Sequence, residues 1–141
     1  MNKLFLFFGI LFFPITFNRF NSVSKPSNVM GNEIDAGMKI IELAEFYDYL
    51  VPKDVVIRQA KLESNHFKST SARKNNNYFG HMKGKHLKKY NSVDECVKYH
   101  VKLLSTKYNP KSRKFSDWAD ALQKHGYSNS NNYSNTLKRM K

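Results

Sequence analysis

One stretch limits the fold more than any other: "SVDECVKYHVKLLSTKY", residues 92–108. Ser92 and Glu95 stand three apart, the spacing in which a serine side chain and a glutamate satisfy the free N–H groups of a helix start. Behind them Val93, Val97, His100, Val101, Leu104 and Tyr108 repeat at helical spacing. A helix with one apolar stripe is stable only when that stripe is packed against another element. The chain therefore has to supply partners for it.

Those partners read as further helices. From Asn32 onward, Ile34, Met38, Ile41, Leu43 and Ala44 fall towards one side, with Glu42, Glu45 and Asp48 mostly away from it. Pro52 and Asp54 open a second helix, "KDVVIRQAKLES", because both residues suit a first turn. A fourth begins at Ser116 in "SDWADALQKHG" and stops at Gly126, and "NNYSNTLKRMK" closes the chain as a fifth. Between the second and third, "NYFGHMKGKHLKKY" has room for a short β-hairpin at most. The expected class is mainly α, a single α-rich domain.

The first residues follow another pattern. Lys3 precedes an apolar run from Leu4 to Phe17, and "SVS" (Ser22 to Ser24) offers small residues for cleavage. This is the layout of a secretory signal peptide. The run is short for the ~20 apolar residues of a membrane span and contains Pro14. The reading is a signal peptide over 1–24, a linker over 25–34 and one domain over 35–141, secreted or periplasmic and with no stable membrane span after cleavage. Cys96 is the only cysteine, so the domain is expected to hold together without disulfides, with Cys96 as a small buried residue.

The net charge is +13, and loss of Lys3 and Arg19 without any acid makes it +11. Such an excess attracts polyanions: nucleic acid, anionic lipid or the acidic polymers of a cell wall. Export argues against nucleic acid. The lysine-rich "KGKHLKKY" is either a solvated loop or a landing site for anionic wall polymers.

Glu63 stands alone among the basic, amide and aromatic side chains of residues 59–84, and no Asp or Glu follows it until Asp94. Ala60, Gln59 and Val56 precede it by three, four and seven residues, so it shares a helix face with small and apolar side chains. A carboxylate partly desolvated at a helix C-terminus is pushed towards its protonated form, as a general acid requires. The basic residues around it oppose that shift, and a glutamate in this position is more often structural than catalytic.

The segment "IRQAKLESNHFKSTSARKNNNYFGHMKG" closely resembles the glucosaminidase domains of peptidoglycan hydrolases, a lysozyme-like group. Their helix ends in a Q-A-x-x-E-S pattern, here Gln59, Ala60, Glu63 and Ser64. Then comes N-N-x-F-G, here Asn76, Asn77, Phe79 and Gly80. "KKYNSVDECVKYHVKLL" and the terminal "HGYSNSNNYSNTL" continue the likeness over roughly residues 38–140. The resemblance implies a lysozyme-like fold and cleavage of β-1,4 bonds between N-acetylglucosamine and N-acetylmuramic acid, with Glu63 as catalytic acid and no metal or organic cofactor. It implies that Asn76, Asn77, Tyr78, Phe79 and Gly80 line the sugar cleft. A tyrosine of the terminal stretch, Tyr127 or Tyr133, belongs near the reacting sugar, Tyr127 in a catalytic role. The partner is the peptidoglycan glycan strand, met by a monomer.

The chain departs from the family where relatives carry a long hairpin bearing a second acid. Here "HMKGKHLKKY" contains none. A two-carboxylate mechanism lacks its second member, unless Glu42 or Glu45 reaches the cleft. Attack by the substrate's own acetamido group or C6 hydroxyl remains open, as does a wall-binding module that has lost its chemistry. The bland alternatives are Phe79 in the core, Asn75 to Asn77 as a turn and Tyr127 covering a helix end. Of the five histidines, none forms H-E-x-x-H or pairs with Cys96 at ligand spacing, so no metal site is expected. His100 is expected as a hydrogen-bonded core residue, and His81 and His86 are weaker candidates for the cleft.

Overall fold

The computed structural model describes residues 29–141, with side chains from Asp35 onward. The apolar run 4–17 and the cleavage position lie outside the described residues. Six α-helices carry the domain: α1 (Val29–Phe46), α2 (Lys53–Glu63), α3 (Thr70–Asn75), α4 (Val93–Leu103), α5 (Phe115–Lys124) and α6 (Tyr133–Arg139). One antiparallel pair, β1 (Met82–Lys83) and β2 (His86–Leu87), stands between α3 and α4. The mainly α expectation, with a short hairpin, holds.

Helix α1 extends three residues before Asn32, into the stretch read as linker. Its buried stripe is Ala36, Ile40 and Ala44 at a spacing of four, and it packs on α2 and α4. Met38 and Ile41, expected on the buried side, are exposed. They sit ~200° and ~100° around the helix from Ile40, outside the narrow stripe that small residues make for close packing. A turn then joins α1 to α2. There Asp48 accepts from the N–H of Lys53 at 2.7 Å and from Arg113 at 2.6 Å, which ties the turn to the loop before α5.

Helix α2 buries Val55, Val56, Gln59 and Ala60. After Glu63 the chain reverses abruptly. Ser64 is buried and accepts from the Phe67 N–H at 2.9 Å, while Asn65, His66 and Phe67 adopt φ of 51°, 54° and 68°. A left-handed run of three non-glycine residues costs roughly 1–2 kcal/mol each, so packing around it has to fix this geometry.

Helix α3 has no counterpart in the sequence reading. It is five polar residues around Ala72, the one buried position, and is started by Ser69, whose side chain accepts from the Ala72 N–H at 3.3 Å. Asn76 ends it in the left-handed conformation (φ 47°). Helix α4 starts as expected, with Ser92 Oγ accepting from the Glu95 N–H at 3.1 Å. The return bond of Glu95 goes to the N–H of Asn91 rather than that of Ser92, at 2.8 Å. The helix then widens into a π-turn, Leu104–Tyr108, that keeps both Leu104 and Tyr108 buried. Trp118 of α5, fully enclosed, donates from Nε1 to the Ser112 carbonyl at 2.8 Å. Gly126 stops α5 at φ +69°, and α6 folds back on it. Cys96 is buried and free, its thiol pushed up to about 12 by burial. Among the described residues no helix is long and apolar enough to cross a membrane.

Candidate active site

Five pieces of chain meet at one cleft: the end of α2, the Phe79–Met82 segment that leads into β1, the end of α4, the π-turn and the loop before α6. Glu63, Phe79, Gly80, His81, Lys107 and Tyr127 are among the residues lining it, around a volume of about 450 Å³. Among its described lining residues Glu63 is the only carboxylate. Glu42 and Glu45 stay on the outer face of α1, paired with Lys39 at 3.6 Å and Lys53 at 3.2 Å.

Glu63 is the last residue of α2, and its side chain opens on the cleft, so by accessible area it is exposed. Protein atoms crowd its other sides. That crowding is what matters for its charge, and desolvation raises its pKa above the ordinary carboxylate value against a hydrogen bond from Tyr133 that lowers it. The Tyr133 hydroxyl donates to Oε1 at 3.0 Å. Oε2 is turned towards Gly80, 3.6 Å from where a side-chain carbon would stand. Gly80 has φ +66°, so a bulkier residue there would be strained as well as pressed towards the acid.

Phe79 reaches the cleft while being only 2% exposed, and its ring stacks on His100. Tyr127 donates to the Phe79 carbonyl at 3.4 Å and packs against Tyr133 and Tyr108. Burial holds the Tyr127 hydroxyl well above its usual range, so it remains protonated.

The asparagines and Tyr78 are placed otherwise. Asn77 is buried, its Nδ2 donating to the carbonyls of His81 and Lys88 at 2.8 Å each and its Oδ1 accepting from the His81 N–H at 3.0 Å. Asn76 donates to the Tyr90 carbonyl at 3.1 Å. Both therefore anchor the hairpin base. Asn76 and Tyr78 instead line a larger cavity of about 750 Å³, together with residues of α1 and α3 and the start of α4. In that cavity Lys39 and Asp94 already face each other at 3.5 Å. The smaller cleft holds the carboxylate with the shifted pKa and is the better candidate.

Behind Glu63 lies a buried polar chain that the sequence did not announce. Gln59 Nε2 donates to the Tyr133 hydroxyl at 3.1 Å, and Gln59 Oε1 lies 3.0 Å from His100 Nε2. His100 Nδ1 is 3.0 Å from His81 Nε2, and His81 Nδ1 is 2.7 Å from the Tyr90 hydroxyl. His100 is completely buried, and burial holds it well below its usual pKa. Burial, aided by Lys88, takes His81 down to about 4. Both rings are neutral at physiological pH. Gln59 belonged to the motif at the end of α2 and His100 to a helical stripe, but only the fold brings them together. Among the described residues no cluster of His, Cys, Asp or Glu could hold a metal ion. His86 stands exposed on the hairpin.

The fold is similar to that of the catalytic domain of the autolysin Auto from Listeria monocytogenes. The TM-score is 0.58 at 22% sequence identity, over 83% of this chain and 84% of that one. No curated protein matches the chain significantly. The family model for glucosaminidase, described as mannosyl-glycoprotein endo-beta-N-acetylglucosaminidase, matches residues 39–141, which take in Glu63, Tyr127, Tyr133 and the whole buried chain behind the acid. By that match over most of its length, the chain belongs to the glucosaminidase family.

Proposed function

We propose that the protein is a hydrolase of peptidoglycan glycan strands that works in the cell envelope and cleaves a β-1,4 bond with Glu63 as general acid. One observation carries the reading: a single carboxylate at the cleft, its pKa raised by desolvation while Tyr133 holds one of its oxygens. A raised pKa favours the protonated form that a general acid needs to serve a leaving oxygen. The structural similarity to an autolysin catalytic domain supports peptidoglycan as the substrate.

Glu63 gives its proton to the glycosidic oxygen, the bond from that oxygen to the anomeric carbon breaks, and the bonding pair leaves with the oxygen. No other carboxylate among the described residues lines the cleft to meet the resulting cation. The carbonyl oxygen of the substrate's own 2-acetamido group fills that place, forming a bond to the anomeric carbon. Water then opens this cyclic intermediate and returns the proton to Glu63. Tyr127 lines the cleft with its proton donated to the Phe79 carbonyl, so in this reading its hydroxyl oxygen accepts from a hydroxyl of the bound sugar. Phe79 and Gly80 form the cleft wall beside the acid. Lys107 lines the cleft, and Lys83, Lys85, Lys88 and Lys89 lie along the hairpin segment that follows its wall, a positive charge suited to anionic wall polymers.

The test is mass spectrometry of soluble products from purified peptidoglycan treated with residues 25–141, and separately with the Glu63→Gln variant. Fragments with a reducing N-acetylglucosamine end from the wild type alone would support the reading in full. A reducing muramic acid end would keep the acid and change the bond, and an anhydro end would replace the acetamido group by the C6 hydroxyl. Binding to the wall with no release by either protein would sink the enzymatic reading and leave a wall-binding module.

A further inference from the structure

The buried chain behind Glu63 has a direction, and the direction follows from elementary donor and acceptor counting. An ionised Glu63 can only accept, and one protonated on Oε2 still accepts at Oε1, so the single hydroxyl proton of Tyr133 points at Oε1, 3.0 Å away. The Tyr133 oxygen must then accept, and Gln59 Nε2, at 3.1 Å, can only donate. That fixes the amide of Gln59 with Oε1 towards His100, so His100 carries its proton on Nε2. A neutral His100 then accepts at Nδ1, which fixes the proton of His81 on Nε2. His81 in turn accepts at Nδ1 from the Tyr90 hydroxyl at 2.7 Å. Five hydrogen bonds thus donate in one sense, from Tyr90 to the acid. Gln59, His100, Tyr90, Tyr133 and His81 are all buried, and no buried side-chain polar atom among the described residues lacks a partner.

Reversing the order would turn Gln59 over, exchange the tautomers of both imidazoles and place the proton of Glu63 on Oε1. We propose that Tyr90, His81, His100, Gln59 and Tyr133 form one directional chain. By keeping Glu63 Oε1 an acceptor, it assigns the proton delivered to the glycosidic oxygen to Oε2, the atom facing Gly80. The inference rests on the reading of Glu63 as the acid. Gln59, His81 and His100 are positioning residues in it, acting on Glu63 through Tyr133. The other titratable groups facing the acid are Tyr127 from the loop before α6, and Lys107 and Tyr108 across the cleft.

Two measurements on the intact domain test this. The first is ¹⁵N NMR of the imidazole nitrogens in wild-type protein, which reads tautomers without any substitution. His81 and His100 are expected in the Nε2–H form, both neutral from pH 8 to pH 5. An Nδ1–H form at either ring would overturn the proposal. The second is kinetics of Gln59→Glu on soluble glycan fragments. A carboxylate at that position accepts from both His100 and Tyr133 and draws the tyrosine proton away from Glu63. The expected result is a kcat lower by on the order of tenfold with KM little changed, and an alkaline limb of the kcat profile displaced to higher pH. A folded variant with the wild-type kcat and limb would overturn the proposal. An active Glu63→Gln variant would instead overturn the acid assignment beneath it, whereas the tautomers read the direction of the chain alone, so the two failures are distinguishable.

Discussion

Phe79 and His100 lie face to face, their ring centroids 3.7 Å apart and their planes 9° from parallel. One ring lines the cleft and the other is the midpoint of the buried polar chain. The stack fixes the height of the cleft wall against helix α4, so the position of Gly80 beside Glu63 depends on a packing contact as well as on the backbone.

Removing that contact should therefore show in stability and in activity together. Phe79→Ala is expected to cost about 3–5 kcal/mol, as truncations of large buried side chains do. Phe79→Leu keeps most of the volume and is expected to cost less than about 2 kcal/mol. Urea denaturation of the two variants gives the comparison. Equal losses would mean that the ring is not packed as described.

Asn77 makes the second prediction. Its amide holds the hairpin base by two donated bonds and one accepted bond. Asn77→Asp is nearly the same shape but sets an oxygen against two carbonyl oxygens, whereas Asn77→Ala leaves the same groups without a partner. Each is expected to cost about 2–3 kcal/mol or more, the aspartate no less than the alanine. Thermal unfolding at pH 7 decides the matter, and a wild-type melting temperature for the aspartate variant would refute the bonding pattern.

Tyr133 supplies the bond that stabilises the ionised form of Glu63. Its removal in Tyr133→Phe lets desolvation act unopposed, so the Glu63 pKa rises further. A general acid works while protonated, so the alkaline limb of kcat should move to higher pH. The same change leaves Gln59 Nε2 without an acceptor in the core, worth about 1–3 kcal/mol of stability. A limb moving to lower pH would show that Tyr133 does not donate to the acid.

The sequence carried the fold where periodicity was strong, and it pointed to the candidate site where a motif was local. Ser92 with Glu95, and the stripe from Val97 to Tyr108, specify α4 because capping and amphipathicity are both short-range properties. Helix α3 leaves no periodic signal in the sequence, because its only buried residue is Ala72 and no stripe marks it. Glu63 was legible from its place at the end of α2. The Tyr133 contact was not, since 70 positions separate the partners and only the return of α6 onto α2 brings them together. His100 reads as a core residue from the stripe. Its partner Gln59 lies 41 positions away on another helix, a pairing that no local pattern encodes.

The two histidines also set how the domain responds to acid. His81 is held down to about 4 and His100 well below its usual pKa, so both titrate higher in the unfolded chain, near 6.5. Between about pH 6.5 and 4 the unfolded state binds more protons than the folded one, and stability falls as pH falls. Glu63 works the other way. Its raised pKa means that the folded state takes up a proton above the ordinary value of 4.5, which offsets part of the loss. Asp120, held below 3.8 chiefly by its bond from Lys138, adds a loss only at lower pH. The melting temperature is therefore expected to drop steadily from pH 7 to pH 4.5 at constant ionic strength. In Glu63→Gln, which removes the opposing contribution, it should drop more steeply. A melting temperature that is flat or rising over this interval in the variant would mean that the imidazoles are not neutral and buried in the folded state.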